Sequence, residues 1–237
     1  MPKTDPNDEI FKEGQEAYLA DEVEKAIRCW EPLAVNGHKQ SQKVLIQLYR
    51  DGRGIPQDPL AGWYWHLLID AGENEDIPSY QHLLGKMHCE GIGVQQSYEK
   101  AAQCFEVAAD HGNYASAHQL SELYREGLGV VQSLNMAIKW CKQAALGQDR
   151  YAQFDLGEYY RSGDGTTQNI QQSLKWFEAA LKGGIVGAAM ELSEIYSDGI
   201  GVPQDYILAS MWLHIAVEQV RSERTYIQEA PKTDTRA

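Results

Sequence analysis

Apolar residues recur at helical spacing along most of this chain. In residues 115–149, Ala117, Leu120 and Tyr124 fall at positions i, i+3 and i+7, which predicts an apolar stripe on a first helix. Farther along the same segment, Ala137 and Trp140 begin a second series at helical spacing. Two antiparallel helices of about a dozen residues cannot bury both stripes alone, so each predicted pair needs neighbouring pairs to cover it.

A Gly-x-Gly pair separates the two predicted helices and recurs at a nearly fixed interval. The five pairs are Gly52/Gly54, Gly91/Gly93, Gly127/Gly129, Gly163/Gly165 and Gly199/Gly201. The first interval is 39 residues and the next three are 36 residues each. Because only glycine reaches positive φ without steric cost, each pair predicts the end of a helix. The constant period predicts a stacked-repeat architecture rather than five phosphate-binding loops.

Two further series keep the same phase. The residues before the predicted second helices are all N-cap types, namely Asp58, Ser97, Ser133, Asn169 and Asp205. Inside those helices, large or sulfur-containing residues predicted to fill the core recur at Cys29, Trp65, Cys104, Trp140, Trp176 and Trp212. The two series support a helix pair in every repeat.

These patterns predict an all-α solenoid. Residues 9–38 form a shorter pair, with Asp21 in place of the Gly-x-Gly loop, and are predicted to be an N-terminal capping repeat after a tail of residues 1–8. Five full repeats are predicted at about 39–72, 79–112, 115–147, 151–184 and 187–218. The acidic insertion 73–76 accounts for the longer first interval and is predicted to form a loop. One extended last helix is predicted from about Asp205 to Ala230, so that 219–237 comprises a capping helix and a frayed tail.

Charge and composition narrow the classes of partner. The chain of 237 residues has 21 basic and 34 acidic residues, a net charge of −13, which disfavours sustained contact with nucleic acid or an anionic membrane surface. The polar start predicts no signal peptide, and no stretch is apolar enough to span a membrane, so we expect a soluble, cytoplasmic protein, with a monomer favoured. The four cysteines, Cys29, Cys89, Cys104 and Cys141, are predicted to be free thiols.

Several segments carry a resemblance to a known family. They are LGEYY…GDG at 156–165, SELYREGLGV at 121–130 and EIYSDGIGVPQD…MW at 194–212. With them the chain resembles the Sel-1-like repeat family of the tetratricopeptide superfamily over about residues 9–218, and the opening unit looks tetratricopeptide-like. The resemblance implies a right-handed α/α superhelix that serves as an adaptor or scaffold for protein complexes, without catalysis or a cofactor. The chain lacks the disulfide pair that secreted cysteine-rich members carry in each repeat.

By analogy with that superfamily, the first helices of successive repeats are expected to line a concave groove that binds a protein or peptide partner. The candidate lining residues are Lys43, Gln47, Arg50, His82, Lys86, His118, Glu122, Arg125, Phe154, Glu158, Arg161, Met190 and Glu194. Glu122, Glu158 and Glu194 form one row at intervals of 36 residues, and Arg50, Arg125 and Arg161 form another. Either the rows form a partner-binding stripe, or Glu and Arg at i, i+3 simply pair on one exposed helix face.

Other functions stay open as alternatives. No nucleophile accompanies the carboxylate row, so the principal hypothesis is a non-enzymatic scaffold without a metal. The alternatives are binding or hydrolysis of a peptide or cell-wall fragment in the groove, and a regulatory subunit whose convex face is the interface. His88, Cys89, Cys104 and His111 could approach one another and hold a metal, but they lack the close spacing of known metal motifs.

Overall fold

The computed structural model describes residues 6–73 and 77–229. Within those ranges all regular secondary structure is helical, which confirms the all-α fold. The helices are α1 (Pro6–Leu19), α2 (Val23–Val35), α3 (Lys39–Asp51), α4 (Pro59–Glu73), α5 (Ile77–Glu90), α6 (Tyr98–Asp110), α7 (Tyr114–Glu126), α8 (Leu134–Leu146), α9 (Arg150–Ser162), α10 (Ile170–Lys182), α11 (Val186–Asp198) and α12 (Tyr206–Glu229). None of these helices is both long enough and apolar enough to cross a membrane.

The helices belong to two compact units. The first unit comprises Met1–Ser116 and Glu126–Val131, and the second comprises Ala117–Arg125 and Gln132–Ala237. In the first unit, α1 packs on α2, α3 on α4, and α5 on α6. In the second unit, α9 packs on α10 and α11 on α12, while α8 lies against α9. Helix α7 contributes residues to both units.

The Gly-x-Gly pairs have the backbone conformation that the sequence predicts. All ten glycines have positive φ, and Gly52, Gly163 and Gly199 end their helices in the left-handed conformation. At Gly129, in the first unit, a Cβ atom would collide with the Tyr98 backbone at the start of α6. The second glycine of that pair therefore allows the loop to rest directly on a helix terminus.

All five predicted N-caps are confirmed. Asp58 Oδ1 accepts from the backbone N–H of Ala61 at 3.0 Å, and Asp205 Oδ1 accepts from that of Leu208 at 2.9 Å. Ser97, Ser133 and Asn169 each accept from the N–H three residues later. Such a cap stabilises a helix by about 1 kcal/mol relative to alanine.

A glutamine that the sequence analysis did not single out closes each loop. Its side-chain amide donates to the carbonyl oxygen near the end of the preceding helix, at 2.7–2.8 Å in four loops and 3.4 Å in the first. The residues are Gln57, Gln96, Gln132, Gln168 and Gln204. They keep the same intervals as the glycines, so the repeat period contained the signal.

The core contains aromatic rings at positions that only partly match the predicted series. Trp65 and Trp140 are buried as expected, but Trp176 and Trp212 are only half-buried. In α10 the fully buried ring belongs to the next residue, Phe177, which packs on Gly157 of α9. Phe105 packs on Gly85 in the same way in the first unit. A glycine in the first helix therefore makes room for a phenylalanine in the second.

Two predicted boundaries differ from the structure. Helix α1 begins at Pro6, so the N-terminal tail is shorter than residues 1–8. Helix α4 continues through Glu73, where the acidic loop was expected to begin, and the remainder of that insertion, 74–76, lies outside the described residues. The last helix, α12, runs unbroken from Tyr206 to Glu229, in agreement with the extended last helix that the sequence predicts. The tail 231–237 also lies outside the described residues.

Candidate partner-binding face

In the first unit, four of the five candidate residues are exposed. Lys43, Gln47 and Arg50 are exposed on α3, where Arg50 Nη2 donates to Gln47 Oε1 at 2.9 Å. Lys86 is exposed on α5. His82 is half-buried, with Nδ1 2.8 Å from Ser116 Oγ, and burial together with Lys86 lowers its pKa. His82 thus joins α5 to the first turn of α7.

In the second unit, charged residues of the first helices α7, α9 and α11 form several ion pairs, and together these residues are here called the acidic face. It contains five carboxylates, two arginines and one histidine, namely Glu122, Asp155, Glu158, Glu191, Glu194, Arg125, Arg161 and His118. Asp155 and Glu191 were not among the predicted residues, although Glu191 follows Asp155 by one repeat period.

The Glu–Arg pairs along single helices are present. Arg125 Nη2 lies 2.8 Å from Glu122 Oε2 on α7, and Arg161 Nη2 lies 3.0 Å from Glu158 Oε2 on α9. Each joins residues i and i+3, as in the simpler of the two interpretations of the rows. Ion pairs of this kind on an exposed helix face stabilise the helix by only a few tenths of a kcal/mol.

Arg161 also links α9 to α11. Its Nη1 lies 3.3 Å from Glu191 Oε2 and 3.8 Å from Glu194 Oε2. With Glu158, the guanidinium therefore has three carboxylates around it. Because Arg161 already pairs with these carboxylates, its role is to join α9 to α11 and not to bind a partner.

The carboxylates of α9 and α11 remain incompletely compensated. Burial first, and then the charge of Glu158, raise the pKa of Glu191, although Arg161 opposes the shift. A side-chain hydrogen bond between Glu191 and Glu158 adds to this rise in pKa. Since three carboxylates surround one guanidinium, the arrangement can accept further positive charge.

His118 lies at the other end of the acidic face, between α7 and α9. Its Nε2 is 2.9 Å from Asp155 Oδ2, and its Nδ1 is 3.8 Å from Asp149 Oδ1. The ring stacks parallel to Tyr151 with centroids 6.2 Å apart. Burial opposes protonation, but the hydrogen bond to Asp155 and the surrounding carboxylates raise the pKa of His118 overall.

The two apolar candidates have different surroundings. Phe154 is half-buried and packs against Phe177, with ring centroids 5.5 Å apart, so it contributes mainly to the core. Met190 on α11 is 60% exposed and lies beside Glu191 in the sequence. Of the pair, only Met190 offers an accessible apolar contact.

The four residues considered as metal ligands from the sequence do not form a metal-binding group. His88 is buried with Nε2 3.3 Å from Tyr64 Oη, His111 is exposed, and Cys89 and Cys104 are free thiols. Burial raises the pKa of Cys104 to about 11, which keeps its thiol protonated. Among the described residues, the group whose ligand atoms do lie close together is His118, Glu122 and Asp155, within 4.8 Å of one another.

Comparison with known proteins connects this geometry to a family. The sequence profile of the Sel1 repeat matches residues 47–68, 78–113, 115–149, 150–185 and 186–219. The chain is similar to a protective antigen present in uropathogenic Escherichia coli strains, whose crystal structure displays an SLR fold, at 27% identity and a TM-score of 0.63. The match covers 93% of this chain and 48% of that one, so the chain spans about half the length of the antigen.

A second solved structure has the same fold. It is a Sel1 repeat protein from Oxalobacter formigenes, at 22% identity and a TM-score of 0.62. The match covers 88% of this chain and 85% of that one. At this level of identity, the similarity shows a shared fold, which means a shared arrangement of helices.

Proposed function

The chain belongs to the Sel1 repeat family, and from that premise we propose that it is a non-catalytic interaction protein whose acidic face holds a basic segment of a partner protein. The Sel1 repeat fold generally mediates protein–protein interaction. The proposal narrows that general role to one face of the second unit and to one charge class of partner.

The observation that carries the proposal is the excess of carboxylates on α7, α9 and α11. Five carboxylates share two arginines, and Arg161 alone is surrounded by three of them. A lysine or arginine of a partner could pair with the exposed carboxylate of Glu194 and would reduce the repulsion from Glu158 that, after burial, raises the pKa of Glu191. Complementary charge of this kind speeds association and selects the partner.

The proposed segment would also contact an apolar side chain. Met190 is exposed four residues before Glu194 on the same helix, and the flexible thioether of methionine adapts to partner surfaces of different shape. We therefore expect a segment in which basic residues alternate with apolar ones. Catalysis plays no part in the proposal, and the cytoplasmic location predicted from the sequence stays a prediction.

Site-specific crosslinking tests the proposal. A photoreactive amino acid at Met190 should capture a partner in extracts of the source cell, and the crosslinked peptide should be rich in Lys and Arg. The matched control carries the same group at Lys175, which is exposed on α10. Capture from Lys175 but not from Met190, or a crosslinked peptide rich in acidic residues, would contradict the proposal.

A further inference from the structure

We propose that His118, Glu122 and Asp155 form a binding site for a divalent first-row transition-metal ion such as Zn²⁺. One ligand atom from each residue lies within 4.8 Å of the other two. His118 and Glu122 are four residues apart on α7 and so share one face of that helix, while Asp155 approaches from α9. An imidazole with two carboxylates is a donor set that Zn²⁺ and Co²⁺ accept, and three protein ligands leave a coordination position for water.

A fourth residue supports the assignment. Asp149 Oδ1 lies 3.8 Å from Nδ1 of His118, on the side of the ring opposite the nitrogen that faces Asp155. Metal-binding histidines commonly have a carboxylate on the second ring nitrogen, which orients the ring and makes it a better ligand. Asp149 is itself fixed, because it accepts from the N–H groups of Tyr151 and Ala152 as the N-cap of α9.

Two contacts would be exchanged when a metal binds. Nε2 of His118 and Oδ2 of Asp155, now 2.9 Å apart, would share the ion in place of their hydrogen bond. Glu122, which pairs with Arg125 through Oε2, would turn one oxygen towards the ion. Both changes need only side-chain rotation on helices that are already in place.

The repeat supplies a natural comparison within the chain. One period earlier, His82 occupies the position of His118, but Lys86 replaces the glutamate four residues later and Ser116 faces the ring. One period later, Phe154 replaces the histidine. Among these repeats, the combination of histidine and carboxylates occurs at His118.

Calorimetric titration tests the site directly. Chain freed of metal by a chelator and kept reduced with a phosphine should bind one Zn²⁺ saturably, and Co²⁺ should give a visible absorption band. His118→Gln and Asp155→Asn should each weaken Zn²⁺ binding by about 10–100-fold, and Asp149→Asn by about ten-fold. His82→Gln should leave the affinity unchanged.

Melting curves without metal check that each variant is folded, and Asp155→Asn keeps the shape of the side chain. The proposal is overturned if the chain shows no saturable Zn²⁺ binding. It is also overturned if folded His118→Gln and Asp155→Asn bind as tightly as the unmodified chain, or if blocking the thiols abolishes binding. None of these measurements involves a basic peptide, so their failure is distinct from failure of the proposed function.

Discussion

Arg161 is the residue on which the contacts of the acidic face converge. It pairs with Glu158 on its own helix and with Glu191 and Glu194 on the next first helix of the second unit. Its single positive charge compensates those carboxylates only in part, since the pKa of Glu191 stays raised by burial and by Glu158. The face therefore combines a fixed geometry with an excess of negative charge.

Replacing Glu191 by glutamine should stabilise the protein at neutral pH. A carboxyl whose pKa is raised on folding loses stability as the pH rises above its usual pKa of 4.5 and through the folded value, because the folded state must then hold the charge. Glu191→Gln removes that cost, so its melting temperature should exceed that of the unmodified chain at neutral pH and match it below pH 4.5.

The control for this prediction is Glu178→Gln, the same chemical change on α10. It should have little effect at either pH, because Glu178 lies outside the acidic face and takes no part in the ion pairs of Arg161. If Glu191→Gln instead lowers the melting temperature at neutral pH, the ion pair with Arg161 outweighs the cost of burying the carboxylate.

At the scale of helix pairs, packing depends on matched small and large residues. Gly157 in α9 lies under the fully buried ring of Phe177 in α10, and Gly85 lies under Phe105 in the first unit. The sequence predicted that small and large residues alternate, because both recur with the repeat period. It did not predict which of two adjacent aromatic residues, Trp176 or Phe177, faces the core, since that depends on the rotation of α10.

Gly157→Ala and Gly187→Ala should therefore have opposite effects on stability. Alanine favours a helix over glycine by up to about 1 kcal/mol. At Gly157, however, the new Cβ would lie 2.7 Å from the Phe177 ring, and overpacking of this kind costs about 1–3 kcal/mol. At Gly187 the nearest atom is 3.7 Å away, which is an ordinary contact.

Denaturant unfolding measures both variants. We expect Gly157→Ala to lose about 1–2 kcal/mol and Gly187→Ala to gain a few tenths of a kcal/mol or more. Equal stabilisation by both substitutions would show that α9 and α10 do not pack as described.

At the scale of the whole molecule, the period of the sequence predicted the helix pairs, the positive-φ glycines and the five N-caps. These features are local, and each depends on residues close together in the chain. The acidic face was predicted only in part. Glu122, Glu158 and Glu194 were found as a row, but the contacts of Asp155 and Glu191 depend on how successive first helices approach one another, which a single sequence does not specify.

The division into two compact units was also not predicted. The Gly-x-Gly pairs recur at the same interval before and after α7. Helix α7 nevertheless contributes residues to both units. A periodic sequence describes each repeat in the same terms and gives no signal for a boundary between compact units. The proposed function is accordingly argued within the second unit alone.

The most direct test of the central claim is a fluorescence anisotropy titration with a labelled peptide of alternating arginine and leucine. Glu191→Gln/Glu194→Gln removes two charges from the acidic face, and Glu178→Gln/Asp164→Asn removes two charges elsewhere in the second unit. We predict that the first double variant weakens binding by about ten-fold at low salt, while the second changes the Kd less than about two-fold. Equal weakening by both variants would mean that the peptide responds only to the net charge of the chain, and the account of a specific acidic face would be contradicted.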